Sequence, residues 1–387
     1  MTPILQAAES ATCGQPDKLC DVIVENILDS ILADDRFARV DLDAIATRGM
    51  IHLAGEITTR SYVHLEAMTR RILAEVGYID PETQFVAGSV AVVALIGEQS
   101  PEIALVVDNK GAGNQCVCVG YATNEMEKIG IAGDYVPFAQ WLAHRLTRRL
   151  EGVQFHDGFK TLYPDGTSQV VVEYAGGVPA RVLDAAVACH HSRALSLDRV
   201  RERLNEEVIA PVLGALPSEL VAATRRRPNH AGPFTIGGPA ADLGQSARKG
   251  VSDAYGTACA FGGSSAVGKD PTKTDRAALY MSRYLAKNLV AAGFADRAEV
   301  SLIYVLGEGA PISVQVNTFG TGREPDARLA EKLTRAVDLT CAGIVEHLQL
   351  RKVRYAPFAC GGYFGRTELD APWERLDLKN ALTTGQS

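Results

Sequence analysis

Residues 263–273, Gly-Ser-Ser-Ala-Val-Gly-Lys-Asp-Pro-Thr-Lys, are the part of this chain best equipped for anion chemistry. Gly263, Gly268 and Lys269 fit the spacing G-x-x-x-x-G-K-[ST], in which backbone amides cradle phosphate, the lysine meets it and a hydroxyl holds magnesium. Asp270 stands in the hydroxyl's place, and Lys273 and Asp275 follow at once. Two lysines with nearby carboxylates suit a polyphosphate and a divalent ion, held otherwise than in a P-loop NTPase. Taken alone, the stretch reads equally well as a surface loop, because small-residue loops ending in Gly-Lys arise by chance.

Other reactive residue types are present without being grouped. The cysteines Cys13, Cys20, Cys116, Cys118, Cys189, Cys259, Cys341 and Cys360 form no C-x-x-C pair. A chain of this size needs no disulfide staples, so buried free thiols are expected. Cys116 and Cys118 share one face of an apparent strand, whereas His190 and His191, as strand neighbours, point to opposite faces and make no ligand pair. Arg225-Arg226-Arg227 is the one dense basic run, expected as a solvated or phosphate-facing turn.

The 387 residues, with 47% hydrophobic and 22% charged content, are those of a globular protein of two or three domains. A net charge of −7 argues against nucleic acid as the main partner. No signal peptide is read at the start, and no apolar run approaches the ~20 residues that cross a bilayer. The expectation is a cytoplasmic protein without a membrane partner.

The positioning elements follow from periodicity. Over 16–35, Leu19, Ile23, Ile27 and Ile31 repeat at i+4 behind Pro16, which predicts a helix. Further helices are expected over 62–76, 138–150, 197–209, 274–292, 327–337 and 341–350. Strands are expected over 46–58, 86–97, 168–174, 178–189, 298–306 and 312–318, with 97–113 a mobile loop. Strand pairs joined by short turns at 174–178 and 307–311 favour antiparallel sheets and an α+β class.

Several further segments accompany the glycine-rich stretch: Glu9-Ser10 with Gly14-Gln-Pro-Asp-Lys18, Gly55-Glu-Ile-Thr-Thr59, Ile96-Gly-Glu-Gln-Ser-Pro101 and Gly111-Ala-Gly-Asn-Gln115. Gly120-Tyr-Ala-Thr-Asn-Glu125, Ile236-Gly-Gly-Pro239, Gly362-Tyr-Phe-Gly-Arg366 and Pro372-Trp-Glu374 complete the set. In this order, from Glu9 to Trp373, the chain resembles S-adenosylmethionine synthetases (methionine adenosyltransferases). The resemblance implies three similar α+β domains related by pseudo-threefold symmetry, with mostly antiparallel sheets packed at a dimer interface. It places them at 1–98, 111–230 (after a gating loop, 99–110) and 232–387. It also implies a homodimer or homotetramer with shared active sites, in which methionine sulfur attacks C5′ of ATP. Triphosphate leaves and is released as phosphate and diphosphate, with Mg2+ and K+ assisting.

Carried over residue by residue, the resemblance gives Glu56 to the methionine ammonium and Gln99 and Lys273 to its carboxylate. Asp242 is shared between methionine and nucleotide. Asp17 and Asp275 stand at magnesium positions, and Asp43 replaces a potassium-binding glutamate. Lys18, Arg248, Lys249 and Lys269 face phosphate, and Asp165, Phe234 and Ser265 complete the ATP set with Gln15. Lys18, Lys269, Asp242 and Gln15 are the expected catalytic residues. Four other positions depart: Gln15 replaces a histidine, Thr167 a lysine, Pro233 an arginine and Asn114 an aspartate. Each preorganised donor is worth ~10²–10³ in rate, though such losses are rarely additive. Lys160 and Arg225–Arg227 are candidates to replace that charge. Two other readings follow: a homologue that binds methionine or S-adenosylmethionine for sulfonium chemistry without triphosphate as leaving group, and an inactive regulatory paralogue.

Overall fold

The first helix shows how local signals act. Pro16 occupies its first turn, and the Gln15 side-chain oxygen accepts from the amides of Asp17 and Lys18 at 2.9 and 3.1 Å. That satisfies two of the donors a helix start leaves open. The computed structural model describes residues 4–263 and 265–384, and of Thr384 the backbone alone. Ser264, within the glycine-rich stretch, lies outside the described residues.

The strands are β1 (Ile4–Ala11), β2 (Arg39–Thr47), β3 (Met50–Thr58), β4 (Ala91–Gly97), β5 (Cys116–Thr123) and β6 (Leu162–Ala175). They continue with β7 (Val178–His191), β8 (Arg225–Pro228), β9 (Gly244–Gln245), β10 (Arg297–Tyr304) and β11 (Ser313–Asn317). The α-helices are α1 (Pro16–Asp34), α2 (Leu65–Val76), α3 (Pro101–Asp108), α4 (Phe138–His156), α5 (Leu197–Arg203) and α6 (Ala210–Gly214). After them come α7 (Ser218–Val221), α8 (Gly250–Ala254), α9 (Thr274–Ala291), α10 (Asp326–Ala336), α11 (Cys341–His347) and α12 (Leu378–Thr384).

Three sheets result, ordered β1-β6-β7-β8, β11-β10-β5 and β4-β3-β2-β9. All pairings are antiparallel except β3 with β4 and β7 with β8. This is the expected α+β class. Each sheet borrows a strand from a distant stretch: β1 joins the β6–β8 group, β5 joins β10 and β11, and β9 joins β2–β4.

Several sequence expectations are corrected. The strand expected over 46–58 is a hairpin of β2 and β3 about Arg48-Gly49, with Gly49 at φ 75°. Its first arm was missed because Asp41 and Asp43 break the apolar run, while Val40, Leu42, Ala44 and Ala46 are buried on the other face. Strand β4 begins at Ala91 rather than 86, since Val86–Val90 close a turn through the Val90 amide. Within 97–113, Pro101 starts helix α3, so that stretch is not loop throughout. Arg225–Arg227 form the edge strand β8 instead of a turn.

Cys13 and Cys360 are joined by a disulfide, against the expectation of free thiols; the other six cysteines are free. The pair is 347 positions apart, so no local spacing announces it.

Helix α9 is the structural axis, buried continuously from Thr274 to Val290. Burial on every side explains its charged residues, which must be paired. Arg276 donates to Glu25 at 2.6 Å, and Arg283 and Lys287 meet Glu374 at 2.9 and 2.7 Å. Tyr280 stacks on Trp373 with centroids 3.7 Å apart. Gly120 of β5 lies so close to the α9 backbone that an added Cβ would overlap the Ser282 carbonyl. Backbone cannot step aside as a side chain can. Gly120→Ala is therefore expected to lower unfolding free energy by about 1–3 kcal/mol. An unchanged urea midpoint would show that α9 can shift away from β5.

Candidate functional site

Strand β2 organises the first part of the site. Its period of two puts Asp41 and Asp43 on one face, with Asp41 opposite Glu56 on β3. The backbone of Asp41 also bridges that of Lys269, bringing the glycine-rich stretch alongside β2. Lys269 Nζ and Asn114 Nδ2 each donate to Asp275 Oδ2 at 2.8 Å. Asp275 lies in the first turn of α9, where the helix dipole favours a carboxylate. Burial opposes the Lys269 charge, but Asp275 outweighs it and the ammonium pKa is raised.

Glu56, Gln99, Asn114, Lys273 and Asp275 line a cavity of about 100 Å³ together with Asp41. Asp41 was not singled out from sequence, although its i,i+2 relation to Asp43 was the available signal. Burial raises its pKa, against the pull of Lys269 and Lys273. Both side-chain polar atoms of Gln99 and Asp275 Oδ1 are buried there without a hydrogen-bond partner among the described residues. Orphaned buried groups are costly, so this cavity is built for a polar occupant. Carboxylates and the Lys273 ammonium on its walls suit a zwitterion.

The second part follows β2 towards β9. Ser246 Oγ donates to Asp43 at 2.6 Å, and the Gln245 amide donates to Asp17 at 2.9 Å. Lys249 and Arg248 approach Asp17 at 3.6 and 3.8 Å, and Gln15 Nε2 at 3.4 Å. Arg248 and Lys249 also line a cavity of about 300 Å³ with Glu9, Gln140 and Gln169. Lys18 is buried beneath this cluster, bound to Asp21 at 2.8 Å and Asp253 at 2.6 Å. Burial opposes its charge, but the two carboxylates outweigh that and raise its pKa. Neither Asp21 nor Asp253 was identified from sequence, and Asp253 is brought in only by the fold.

The third part surrounds Asp165, which accepts from the Gly238 amide at 2.8 Å. Asp242 is exposed and its carboxylate accepts from the Leu243 amide at 2.8 Å. The Phe234 amide donates to His191 Nε2 at 3.1 Å, and its ring lies 5.4 Å from that of His190. Thr167 and Pro233 are exposed. Ser265 Oγ accepts from the Val267 amide at 3.2 Å. Of the cations considered as replacements, Arg227 is committed to Asp184 at 2.7 Å and Lys160 is exposed.

Burial pushes the Asp165 carboxyl up to about 7; the Gly238 amide opposes this and Asp242 adds to it. An acid whose folded pKa is raised binds more protons folded than unfolded, so its contribution falls as pH rises from its unfolded value towards 7. Relative to Asp165→Asn, the parent protein is therefore expected to lose stability between pH 5 and 8. Urea midpoints of both proteins at the two pH values check this, and a constant difference would refute it.

Asp17 and Asp275 have the donor chemistry for a hard divalent cation, which takes carboxylate oxygen and leaves positions for substrate oxygens. Asp275 Oδ1, without a partner among the described residues, and Asp17, approached by two cations only at 3.6–3.8 Å, fit such an ion bound together with an anion.

Comparison with known proteins covers nearly the whole chain. Residues 4–101 match the family described as S-adenosylmethionine synthetase, N-terminal domain; 109–232 match its central domain and 236–375 its C-terminal domain. The S-adenosylmethionine synthase of Leifsonia xyli subsp. xyli is 40% identical over 393 residues, covering 98% of this chain and 97% of that protein. The S-adenosylmethionine synthase of Desulforudis audaxviator is 41% identical over 397 residues, covering 99% and 98%. That of Clostridium botulinum is 39% identical over 388 residues, covering 96% and 97%.

Proposed function

This chain belongs to the S-adenosylmethionine synthetase family, and from that premise we propose that it transfers the adenosyl group of ATP to the sulfur of L-methionine, releasing phosphate and diphosphate. The observation that carries the reading is the 100 Å³ cavity with orphaned Gln99 and Asp275 side-chain atoms among carboxylates and Lys273. In this reading Glu56 takes the methionine ammonium, and Gln99 and Lys273 take its carboxylate. Lys269, Arg248 and Lys249 balance charge on the departing triphosphate. Asp165 and Phe234 bound the nucleoside, and Asp242 lies between nucleotide and amino acid. Lys18 keeps the loop at 14–18 in place through Asp21 and Asp253, while Gln15 presents its amide beside Asp17. Mg2+ held by Asp17 and Asp275 would neutralise phosphate charge, and K+ near Asp43 would add to it.

The chemistry is an in-line displacement: the sulfur lone pair forms the bond to C5′ as the C5′–O bond breaks, and its electrons leave on triphosphate. Charge grows on that oxygen, which is why fixed cations matter more to the transition state than to the bound substrate. Ligand sites span about 300–1,000 Å³, so a 100 Å³ cavity is one wall of a site completed by another surface. We assign that surface to a second copy of the chain, in a homodimer or larger homo-oligomer. The domain limits 1–98, 111–230 and 232–387 and a gating role for 99–110 belong to the same reading.

The purified protein is expected to form S-adenosylmethionine, phosphate and diphosphate from ATP, methionine, Mg2+ and K+. Absence of product, with S-adenosylmethionine consumed when supplied alone, would favour sulfonium chemistry instead. Full-length similarity to proteins named S-adenosylmethionine synthase does not favour that alternative or an inactive paralogue. Charge-assisted hydrogen bonds are roughly twice as strong as neutral ones, so Thr167→Lys is expected to raise kcat about tenfold. An unchanged kcat in steady-state assays would show that position 167 does not face the leaving group.

A further inference from the structure

A cavity of about 510 Å³ shares no lining residue with the 100 Å³ and 300 Å³ cavities of the site. Its walls are the end of α3 at Val107 and Lys110, the first residue of β2 at Arg39, helix α11, and the turn carrying Arg351 and Lys352. Val107, Ala342 and Val345 give it an apolar floor, and Arg39, Lys110, Arg351, Lys352 and Glu346 supply its charged lining. Burial lowers the Arg351 pKa, and the like charge of Arg39 adds to that while Asp270 opposes it. Two guanidiniums on the wall beside an apolar floor suit an anion with an apolar body.

Arg39 is also a junction. Its Nη2 pairs with Asp108, the last residue of α3, at 2.8 Å, and its Nη1 donates to Thr272 Oγ1 at 2.6 Å. Thr272 donates in turn to Asp270, which lies 3.6 Å from Lys273 Nζ. Helix α3 sends Val107 to this cavity and Ile103, one turn earlier, to the 100 Å³ cavity. One helix and one hydrogen-bonded chain therefore connect the two cavities.

We propose that this cavity is a regulatory site for a small amphipathic anion, a carboxylate or sulfonate on an aromatic or aliphatic body. The anion binds between Arg39 and Arg351 and displaces Asp108 from Arg39. Release of Asp108 frees the end of α3, whose other end borders the 100 Å³ cavity. The binding part of this proposal stands independently of the reaction catalysed.

Fluorescence titration with 1-anilinonaphthalene-8-sulfonate tests it on the full-length protein. Saturable binding is expected, weakened about tenfold or more in Arg351→Glu through loss of a charge-assisted contact. The exposed Lys352→Glu should weaken it in the same direction and controls for misfolding of the first variant. Asp108→Asn removes the competing carboxylate, the exposed member of its pair with the part-buried Arg39, and should tighten binding about two- to fivefold. Equal affinity in the parent protein and all three variants would overturn the proposal. So would displacement of the probe by ATP and methionine with no effect of the variants, which would place it in the synthetase site. Binding weakened by the glutamate variants but unchanged in Asp108→Asn would overturn the displacement of Asp108.

Discussion

Lys269→Ala is expected to lower kcat/KM for adenosyl transfer by about 10²–10³, the usual cost of removing one preorganised donor to developing negative charge. Lys269 is held by the Asp41 backbone on one side and the Asp275 carboxylate on the other, as the proposed role requires. Its raised pKa keeps the ammonium protonated across the working range. Truncation also frees Asp275, whose remaining neighbour, Asn114, is neutral. The loss should therefore fall mainly on kcat, with a smaller change in the KM for methionine, because the growing charge exists only in the transition state. Steady-state kinetics beside a urea midpoint within experimental error of the parent make the comparison clean. A loss below tenfold would remove Lys269 from the phosphate side and leave it as a structural partner of Asp275.

Glu374→Ala is expected to cost about 3–5 kcal/mol of stability, because it leaves buried cations without their counter-ion. Glu374 accepts from Arg283, Lys287 and the Gly365 amide, so one carboxylate ties α9 to the C-terminal segment. Burial opposes its ionisation, but Arg283 and Lys287 outweigh burial and hold the carboxyl below its ordinary range. A depressed folded pKa means the stabilisation is present above the unfolded value, ~4.3, and is lost as pH falls through the folded value. The gap between the parent protein and the milder Glu374→Gln should thus be largest at neutral pH and shrink towards pH 3. Urea unfolding across that range measures it, and a gap that widens on acidification would contradict the charge pairing. Replacing all three residues by well-packed apolar groups need not destabilise, since the cost lies in stranding the cations.

Much of the fold was legible because its elements carry local signals. Helices α1 and α9 fall within one residue of their expected ends, the first through Pro16 and its i+4 stripe. The β6–β7 and β10–β11 hairpins follow from short turns between alternating runs. Errors cluster where the site intrudes on a pattern. The acidic face of β2 hid a strand, and the apolar run of α3 between Gln99 and Gly111 was taken for loop. Strand β8 was missed because three arginines read as solvent, although Arg227 is satisfied by Asp184 across a parallel pairing. Edge strands tolerate such charge, and local composition cannot report a partner more than 40 positions away.

The sequence by itself determined the family, the α+β class and the residue types available to the reaction, because ordered motifs and hydrophobic period are properties of the chain. Only the tertiary structure decided which of those residues meet. It set Asp41 beside Lys269, gave Lys18 to Asp21 and Asp253 as a buried anchor, and joined Cys13 to Cys360. It also exchanged β1, β5 and β9 between sheets. The physical reason is shared by the Asp41–Lys269 and Lys18–Asp253 contacts and by the exchanged strands. Burial makes an unpaired charge or polar group expensive, and the partner that removes that cost is supplied by packing between segments far apart in the chain.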